Sequence, residues 1–310
     1  MSDIKLFSTH TNGVRELPGE SVALERSLQA LIEANLNAML GIRFLASEYS
    51  TGPRHGGRVD TLGLDENSCP VIIEYKRATN ENVINQGLFY LDWLMDHRAE
   101  FELLVMMKLG PEAREAIDWS APRLVCIAGG FTRYDEHAVK QIDHNIELIR
   151  YKRFGQELLL FELVNATTTS PKGQVISAPI PESAAEGATL HKGKTFAQYM
   201  TELDDRTRDL YDGLTAFIRA LGDDVQEKEL KQYIAFKRIK NFACIEVFPS
   251  DRKMKLFLKI DPDSIALEEG FSRDMRGIGH YGTGDLQVTI DSKEDLDRAR
   301  DLIIKSYENS

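Results

Sequence analysis

The 29 residues from Ala166 to Lys194 contain little that a folded core could bury. Of these residues, 18 are Ala, Gly, Pro, Ser or Thr, and none is aromatic. This composition is typical of a flexible linker rather than of a packed element. The sequence therefore predicts a linker at residues 166–194. It would separate an N-terminal domain (residues 1–165) from a C-terminal domain (residues 195–310), both of ordinary domain size.

The 310-residue chain is acidic, with 38 Lys and Arg against 49 Asp and Glu, a net charge of −11. That charge disfavours tight non-specific binding to nucleic acid. No run reaches the ~18–20 apolar residues that a membrane-spanning helix needs, and the first residues lack an apolar signal core. The three cysteines lie far apart, and no two histidines have metal-ligand spacing, so the sequence predicts neither a disulfide framework nor a zinc site. We expect a cytoplasmic protein that does not associate with membranes.

Hydrophobic periodicity predicts alternating helices and strands in the N-terminal domain. The order is a helix, three strands, a second helix and a further strand, which is typical of an α/β sandwich. The predicted elements are Val22–Leu40, Ile42–Tyr49, Arg58–Leu64, Pro70–Lys76, Asn82–His97 and Arg123–Ala128. The C-terminal domain is predicted to be a smaller α+β domain, with one long helix from Phe196 to about Leu221, several strands and a closing helix from Lys293.

The predicted strand Pro70–Lys76 carries an apolar run that ends in charged residues. Its continuous Val-Ile-Ile segment favours a central strand buried on both faces, and charges that end such a strand need partners or a function. Glu74 and Lys76 share one face because side chains alternate along a strand. If the neighbouring strand pairs with it, Asp60 brings a second carboxylate. A carboxylate pair binds a hard cation such as Mg²⁺, and a nearby lysine can orient a water for attack on a phosphate.

An ordinary surface ion pair between Glu74 and Lys76, with Asp60 as a turn residue, is the structural alternative. The apolar run before Glu74 argues against it.

These residues resemble the PD-(D/E)XK nuclease superfamily, whose signature is an acid, a spacer and then acid-x-Lys after a hydrophobic run. Val59 stands where the superfamily's proline would be. The sequence is similar in particular to the nuclease domain of NucS-like endonucleases, over roughly residues 24–93, with weaker continuation to about Asn165. The matching stretches are Gly57-Arg58-Val59-Asp60, Ile73-Glu74-Tyr75-Lys76 and Gln86-Gly87-Leu88-Phe89-Tyr90-Leu91-Asp92-Trp93. The C-terminal half resembles an uncharacterised domain found behind such nuclease-like domains in bacteria.

The resemblance implies a restriction-endonuclease-like αβββαβ core and a role for each matching residue. Asp60 and Glu74 would ligate Mg²⁺ or Mn²⁺, with the carbonyl of Tyr75 as a third ligand. Lys76 would position the attacking water, and Gln86 would assist at the metal-bound water or the phosphate.

The superfamily's first-helix acid has two candidates, Glu25 and Glu33. Glu25 is preferred because an acid in the first turn of this helix matches the related motif better, although either could be a solvated helix acid. Arg58 would contact a phosphate through its guanidinium group or pair with a structural carboxylate. Glu48 could face the same side of the sheet, but it is interpreted as a plain strand residue.

The tract from Lys231 to Lys259 is basic within this acidic chain. It holds eight Lys or Arg against two acids and is interleaved with four phenylalanines. Two interpretations stay open, a nucleic-acid-binding face that would include Lys237, Arg238 and Lys240, or a hairpin with a lysine-rich solvent side.

The sequence thus predicts a metal-dependent DNA endonuclease that hydrolyses phosphodiester bonds in DNA repair or in defence against foreign DNA. Its partner would be DNA, and a homodimer would allow both strands to be cut. The alternative is a nuclease fold retained as a non-catalytic DNA-binding or protein-interaction module.

Overall fold

The computed structural model describes residues 4–10, 13–20, 26–76, 83–155, 157–167 and 194–310, with the backbone alone at His10, Glu20, Arg26 and Arg54. These residues form two compact units, one within residues 1–169 and the other within residues 170–310. The predicted linker lies outside the described residues from 168 to 193. Within the described part of the chain, no helix has the length and apolar character needed to cross a membrane.

The first unit contains nine strands and seven helices among its described residues. Its strands are β1 (Leu6–His10), β2 (Gly13–Leu17), β3 (Gly19–Glu20), β4 (Ile42–Ser50), β5 (Arg58–Asp65), β6 (Pro70–Lys76), β7 (Arg123–Ala128), β8 (Asn145–Phe154) and β9 (Leu158–Thr167). Its helices are α1 (Arg26–Ala34), α2 (Leu36–Leu40), α3 (Gly52–His55), α4 (Val83–Asp96), α5 (Arg98–Leu109), α6 (Pro111–Glu115) and α7 (Arg133–Lys140).

A seven-stranded sheet organises this unit in the order β3-β8-β7-β6-β5-β4, with β9 paired to β8. Strands β4, β5 and β6 are antiparallel neighbours, whereas β6, β7 and β8 run parallel. The helix, three-strand meander, helix and parallel strand confirm the predicted αβββαβ core. The first two strands of the chain form a separate hairpin that the sequence analysis did not predict.

The middle strand β6 is buried on both faces, as its apolar run predicted. Ile72 belongs to the core cluster shared with α4 and α5, and the side chains of Val71 and Ile73 on the other face are also fully buried. Gly87 lets α4 approach the sheet, because a Cβ at this position would lie 2.4 Å from a methyl carbon of Leu124. The strand ends that carry the candidate site are therefore held between tightly packed layers.

The first predicted helix differs from the prediction in its length. Residues 26–40 form α1 and α2 with a break at Asn35, and α2 ends at Gly41, whose φ of 66° is left-handed. Residues 21–25 lie outside the described part of the chain, so the predicted N-terminal turn with Glu25 is not described.

The second unit packs helices against one face of a six-stranded antiparallel sheet ordered β10-β11-β12-β13-β15-β14. The strands are β10 (Gln226–Glu229), β11 (Ile234–Lys237), β12 (Asn241–Phe248), β13 (Lys253–Leu258), β14 (Ser272–Asp274) and β15 (Leu286–Ile290), and the helices are α8 (Phe196–Thr201), α9 (Asp205–Arg219) and α10 (Lys293–Glu308).

The long helix predicted from Phe196 is two helices. Asp204 is the N-cap of α9, since its carboxylate accepts a hydrogen bond from the Thr207 N–H at 2.8 Å. A new helix therefore begins here instead of continuing α8. In the same unit, β10 and β11 are two short antiparallel strands joined by a short loop.

Candidate metal-dependent active site

The candidate site lies where β5 and β6 separate. Their ladder ends at the pair Thr61–Ile73, so the next backbone N–H groups on both strands need other acceptors. The Asp60 N–H donates to Glu74 Oε1 at 3.2 Å, and the Tyr75 N–H donates to Asp60 Oδ2 at 2.9 Å. Each carboxylate thus caps the opposite strand, and the two acids predicted from sequence are brought together.

Lys76 completes what we call the carboxylate cluster, defined as Asp60, Glu74 and Lys76. Glu74 is 1% exposed and Lys76 is 5% exposed. The positive charge of Lys76 lowers the pKa of Glu74, which places the ammonium group within electrostatic reach of that carboxylate. The structure therefore joins all three predicted residues at the ends of two central strands.

Desolvation dominates the electrostatics of these carboxylates. Burial raises the pKa of Asp60 to about 6 against the hydrogen bond from Tyr75, with added repulsion from Glu48 and Glu33. Burial followed by the charge of Asp60 raises the pKa of Glu74 to about 9. Two carboxylates with few compensating charges favour either a proton or a cation between them.

Tyr75 turns its side chain to the other face of the sheet. Its hydroxyl lies 3.4 Å from Thr61 Oγ1, and burial raises its pKa well above the usual range. The side chain takes no place in the carboxylate cluster, so any ligand role of Tyr75 would come from its backbone carbonyl, as predicted.

Glu33 lies beside the site, whereas Glu25 falls outside the described residues. Glu33 Oε1 accepts hydrogen bonds from Thr61 Oγ1 at 2.5 Å and from Gln29 Nε2 at 3.1 Å. Gln29 also donates to the Asp60 carbonyl at 3.2 Å, and the charge of Glu33 raises the pKa of Asp60. Of the two first-helix acids, Glu33 is the one whose contact with the site is described.

Glu48 is a further acid that the sequence analysis did not assign to the site. Its charge raises the pKa of both Asp60 and Glu74. Its backbone has φ of 49°, a left-handed conformation that is costly for a residue with a Cβ. A glutamate in a regular-looking strand gives no sequence signal for this conformation.

Arg58 and Gln86 flank the carboxylate cluster, and their side chains are more exposed than those of Glu74 and Lys76. Arg58 Nε lies 3.8 Å from Glu48 Oε2, and the Arg58 side chain is 67% exposed. The Arg58 N–H donates to the Tyr90 hydroxyl at 3.2 Å, and Gln86 Nε2 donates to the same hydroxyl at 3.4 Å. Tyr90 therefore links the start of β5 to α4, and Gln86 belongs to this link.

Gly57 is required at this link because a Cβ there would lie 2.7 Å from the Tyr90 hydroxyl.

The predicted basic tract in the second unit is largely engaged within its own fold. Lys237 is 2% exposed. Arg238 pairs with Asp224 at 2.6 Å and stacks over the Tyr307 ring at 4.7 Å. Lys240 is partly buried. Three of the four interleaved phenylalanines are core residues, namely Phe236, Phe242 and Phe257.

Comparisons with known proteins give three findings. Residues 197–310 match the family model of a domain of unknown function, DUF5655, in line with the uncharacterised C-terminal domain expected from sequence. An uncharacterized protein of Haemophilus influenzae is 28% identical over 305 residues, which cover 97% of this chain and 98% of that protein. A chain in the structure of an EndoMS–dsDNA2 complex is 19% identical, with a TM-score of 0.24, over 42% of this chain and 47% of that one.

Proposed function

We propose that the first unit is a metal-dependent DNA endonuclease that hydrolyses phosphodiester bonds, acting in DNA repair or in defence against foreign DNA. The observation that carries the proposal is the reciprocal capping at the ends of β5 and β6. Glu74 accepts a hydrogen bond from the Asp60 N–H at 3.2 Å, and Asp60 accepts one from the Tyr75 N–H at 2.9 Å, with Lys76 on the same strand as Glu74. This arrangement is costly unless a cation binds, because it desolvates two acids side by side.

The donor set fits Mg²⁺ or Mn²⁺. Both ions prefer oxygen ligands and retain several waters, so two carboxylates and one backbone carbonyl suffice to hold them. Asp60 and Glu74 would hold the ion, with the Tyr75 carbonyl as a further ligand. When bound, the ion would supply a Lewis acid for the phosphoryl oxygen and a more acidic water.

The chain's own residues would orient the reactants. Lys76 would hydrogen-bond the attacking water and stabilise negative charge on the phosphate in the transition state. Gln86 and Arg58, which meet at the Tyr90 hydroxyl, would contact phosphates of the substrate. Lys237, Arg238 and Lys240 remain predictions for substrate binding, and a homodimer remains a prediction for cutting both strands.

A cleavage panel tests the activity. The full chain is incubated with Mg²⁺ or Mn²⁺ and with single-stranded, mismatched, branched and supercoiled DNA, and with RNA. Lys76→Met retains the volume of the buried side chain, and exposed Lys108 gives the matched control Lys108→Met. We expect cleavage of at least one DNA substrate, a loss of roughly 10²-fold or more in Lys76→Met, and no change in Lys108→Met. Cleavage that survives Lys76→Met would contradict the proposed site.

Metal binding distinguishes the enzyme from a non-catalytic module. Mn²⁺ is titrated by calorimetry into the wild type, Asp60→Asn and the exposed-site control Asp143→Asn. We expect binding by the wild type and the control and a large loss in Asp60→Asn. Equal heats in all three proteins, together with no cleavage, would favour the module.

A further inference from the structure

A second group of metal-ligating side chains lies away from the carboxylate cluster, between α3 and α4. His55 at the end of α3 and Asp92 and Asp96 on α4 each present one ligand atom, and these atoms all lie within 4.8 Å of one another. Gly56, with a left-handed φ of 63°, ends α3 at this point. The three residues form what we call the His55 group.

In the part of the chain that the structure describes, the His55 ring is held by aromatic contacts and not by hydrogen bonds to its Nδ1 atom. Its centroid lies 5.3 Å from the Phe89 ring and 5.6 Å from the His97 ring. His55 Nδ1 is buried, and it has no hydrogen-bond partner among the described residues. A buried ring nitrogen without a partner is costly, and coordination of a metal ion by the imidazole would be consistent with a ring that is not engaged in hydrogen bonds.

The two aspartates are also placed unfavourably for an isolated helix. Asp96 is the last residue of α4, Asp92 lies one turn before it, and the last turn of this helix carries no basic residue. Like charges at i and i+4 destabilise a helix, and acidic side chains near its C-terminus oppose the helix dipole. A divalent cation would offset both effects.

We propose that the His55 group binds a borderline divalent cation, Zn²⁺ or Co²⁺, through one imidazole nitrogen and two carboxylates. Mixed nitrogen and oxygen donors select such ions over Mg²⁺. Bonds of about 2.0–2.2 Å place tetrahedral ligand atoms roughly 3.4 Å apart, a distance that the exposed Asp92 and Asp96 side chains reach by rotation. Water would complete the coordination.

The structural consequence is a link between α3 and α4. Residue 55 lies three positions before Arg58, and α4 carries Gln86 and Tyr90, so a bound ion would fix the two segments that meet at the Tyr90 hydroxyl. The ion would thus position the approach to β5 without touching the carboxylate cluster.

The test uses the Asp60→Asn background, in which the proposed nuclease metal site is disabled. Zn²⁺ and Co²⁺ are titrated by calorimetry into full-length Asp60→Asn, and into the same protein carrying Asp96→Asn, His55→Gln or the control Asp209→Asn, an exposed aspartate of the second unit. We expect the Asp60→Asn protein and the control to bind one equivalent of Zn²⁺ or Co²⁺. The affinity for Zn²⁺ should fall at least tenfold in the proteins carrying Asp96→Asn or His55→Gln. Substitutions of residues that only support a metal's ligands already reduce metal affinity about 10–100-fold.

Two further readouts separate ligation from a change in folding. The Co²⁺ complex should show visible absorption of a tetrahedral nitrogen–oxygen site, lost in His55→Gln. The melting temperature of the metal-free protein should not fall in Asp96→Asn, because that substitution removes the repulsion between Asp92 and Asp96. Equal Zn²⁺ affinity in all variants would overturn the proposal. So would an NMR titration in which His55 responds to pH but not to Zn²⁺, which would show an imidazolium–carboxylate pair only. Neither outcome depends on whether the protein cleaves DNA.

Discussion

The two ends of the central strands bury charge in opposite ways. At one end, Arg123 lies between Asp65 at 2.8 Å and Glu147 at 2.7 Å, and all three are at most 5% exposed. We call this group the arginine triad. Burial alone would lower the pKa of Arg123, but the two carboxylates outweigh burial and raise it. At the other end, the carboxylate cluster has adjacent acids whose pKa values are raised.

The difference separates a structural ion-pair site from the candidate functional site. Both groups lie on strands of one sheet, and Glu74 and Lys76 are as buried as the triad, although Asp60 is only partly buried. Only the triad places a guanidinium between its acids. Asp65 also accepts hydrogen bonds from the N–H groups of Asn67 and Cys69, so its oxygens are satisfied locally. The carboxylate cluster keeps unbalanced negative charge at the carboxyl end of β6, where ligands bind in open α/β sheets.

Removing the arginine of the triad should have the largest effect on stability. Arg123→Ala leaves two buried carboxylates without their partner, and breaking a buried ion pair in this way costs about 3–5 kcal/mol. Urea denaturation of the metal-free protein measures this loss. The control Arg114→Ala breaks the more exposed pair with Glu102 and should cost at most about 1 kcal/mol. Similar losses in both variants would erase the distinction between buried and exposed pairs.

The opposite sign is expected at the carboxylate cluster. With its pKa raised to about 9, Glu74 must take up a proton on folding at pH 8 or bury a charge, and Glu74→Gln removes this cost. The metal-free protein at pH 8 should therefore be stabilised by about 1 kcal/mol or more, since one pKa unit corresponds to about 1.4 kcal/mol. The same variant should lose the rise in melting temperature that Mn²⁺ gives the wild type. A destabilised Glu74→Gln protein would show that this end of the sheet is as structural as the triad.

The pH dependence of stability should come from the carboxylate cluster. Raised pKa values mean that the folded, metal-free protein binds more protons than the unfolded chain, so stability falls as pH rises. The loss should begin near the unfolded values of about 4, pass through about 6 for Asp60 and continue to about 9 for Glu74. Urea midpoints between pH 5 and pH 9 measure the slope, which should flatten in the Asp60→Asn, Glu74→Gln double variant. An unchanged slope in that variant would assign the effect elsewhere.

The smallest effect is expected from Glu48→Gln. Glu48 is exposed, and solvent screens its repulsion of Asp60 and Glu74, so its removal should stabilise the metal-free protein at pH 8 by only a few tenths of a kcal/mol. NMR titration of the Asp60 and Glu74 carboxyl groups should show both pKa values lowered. No movement of either value would exclude Glu48 from the site.

The sequence predicted the centre of the candidate site because its signal is local. The apolar run before Glu74 marks a buried strand, and strand alternation places Lys76 on the same face. The contact of Asp60 with Glu74 required only that the two strands be neighbours, which is the commonest arrangement for consecutive strands.

The sequence could not predict features that depend on distant segments. The arginine triad joins residues 58 and 24 positions apart, and none of the three has an unusual neighbourhood in sequence. The His55 group was missed because spacing was sought between histidines, whereas its other two members are aspartates on another helix. In the second unit, alternating Phe and Lys residues gave the same pattern for a binding face and for a strand with one buried side, and Phe236, Phe242 and Phe257 are buried.

The three buried cysteines place an intrinsic reporter group in each of these regions. Cys69 follows the turn capped by Asp65 of the triad, Cys126 is the neighbour of Glu74 across the β6–β7 ladder, and Cys244 lies on β12 of the second unit. All three thiols are buried, and burial further raises the pKa of Cys126, so each reacts with an alkylating reagent only when its own region opens. Their separate labelling rates would measure the local opening of the arginine triad, of the carboxylate cluster and of the second unit without any introduced probe.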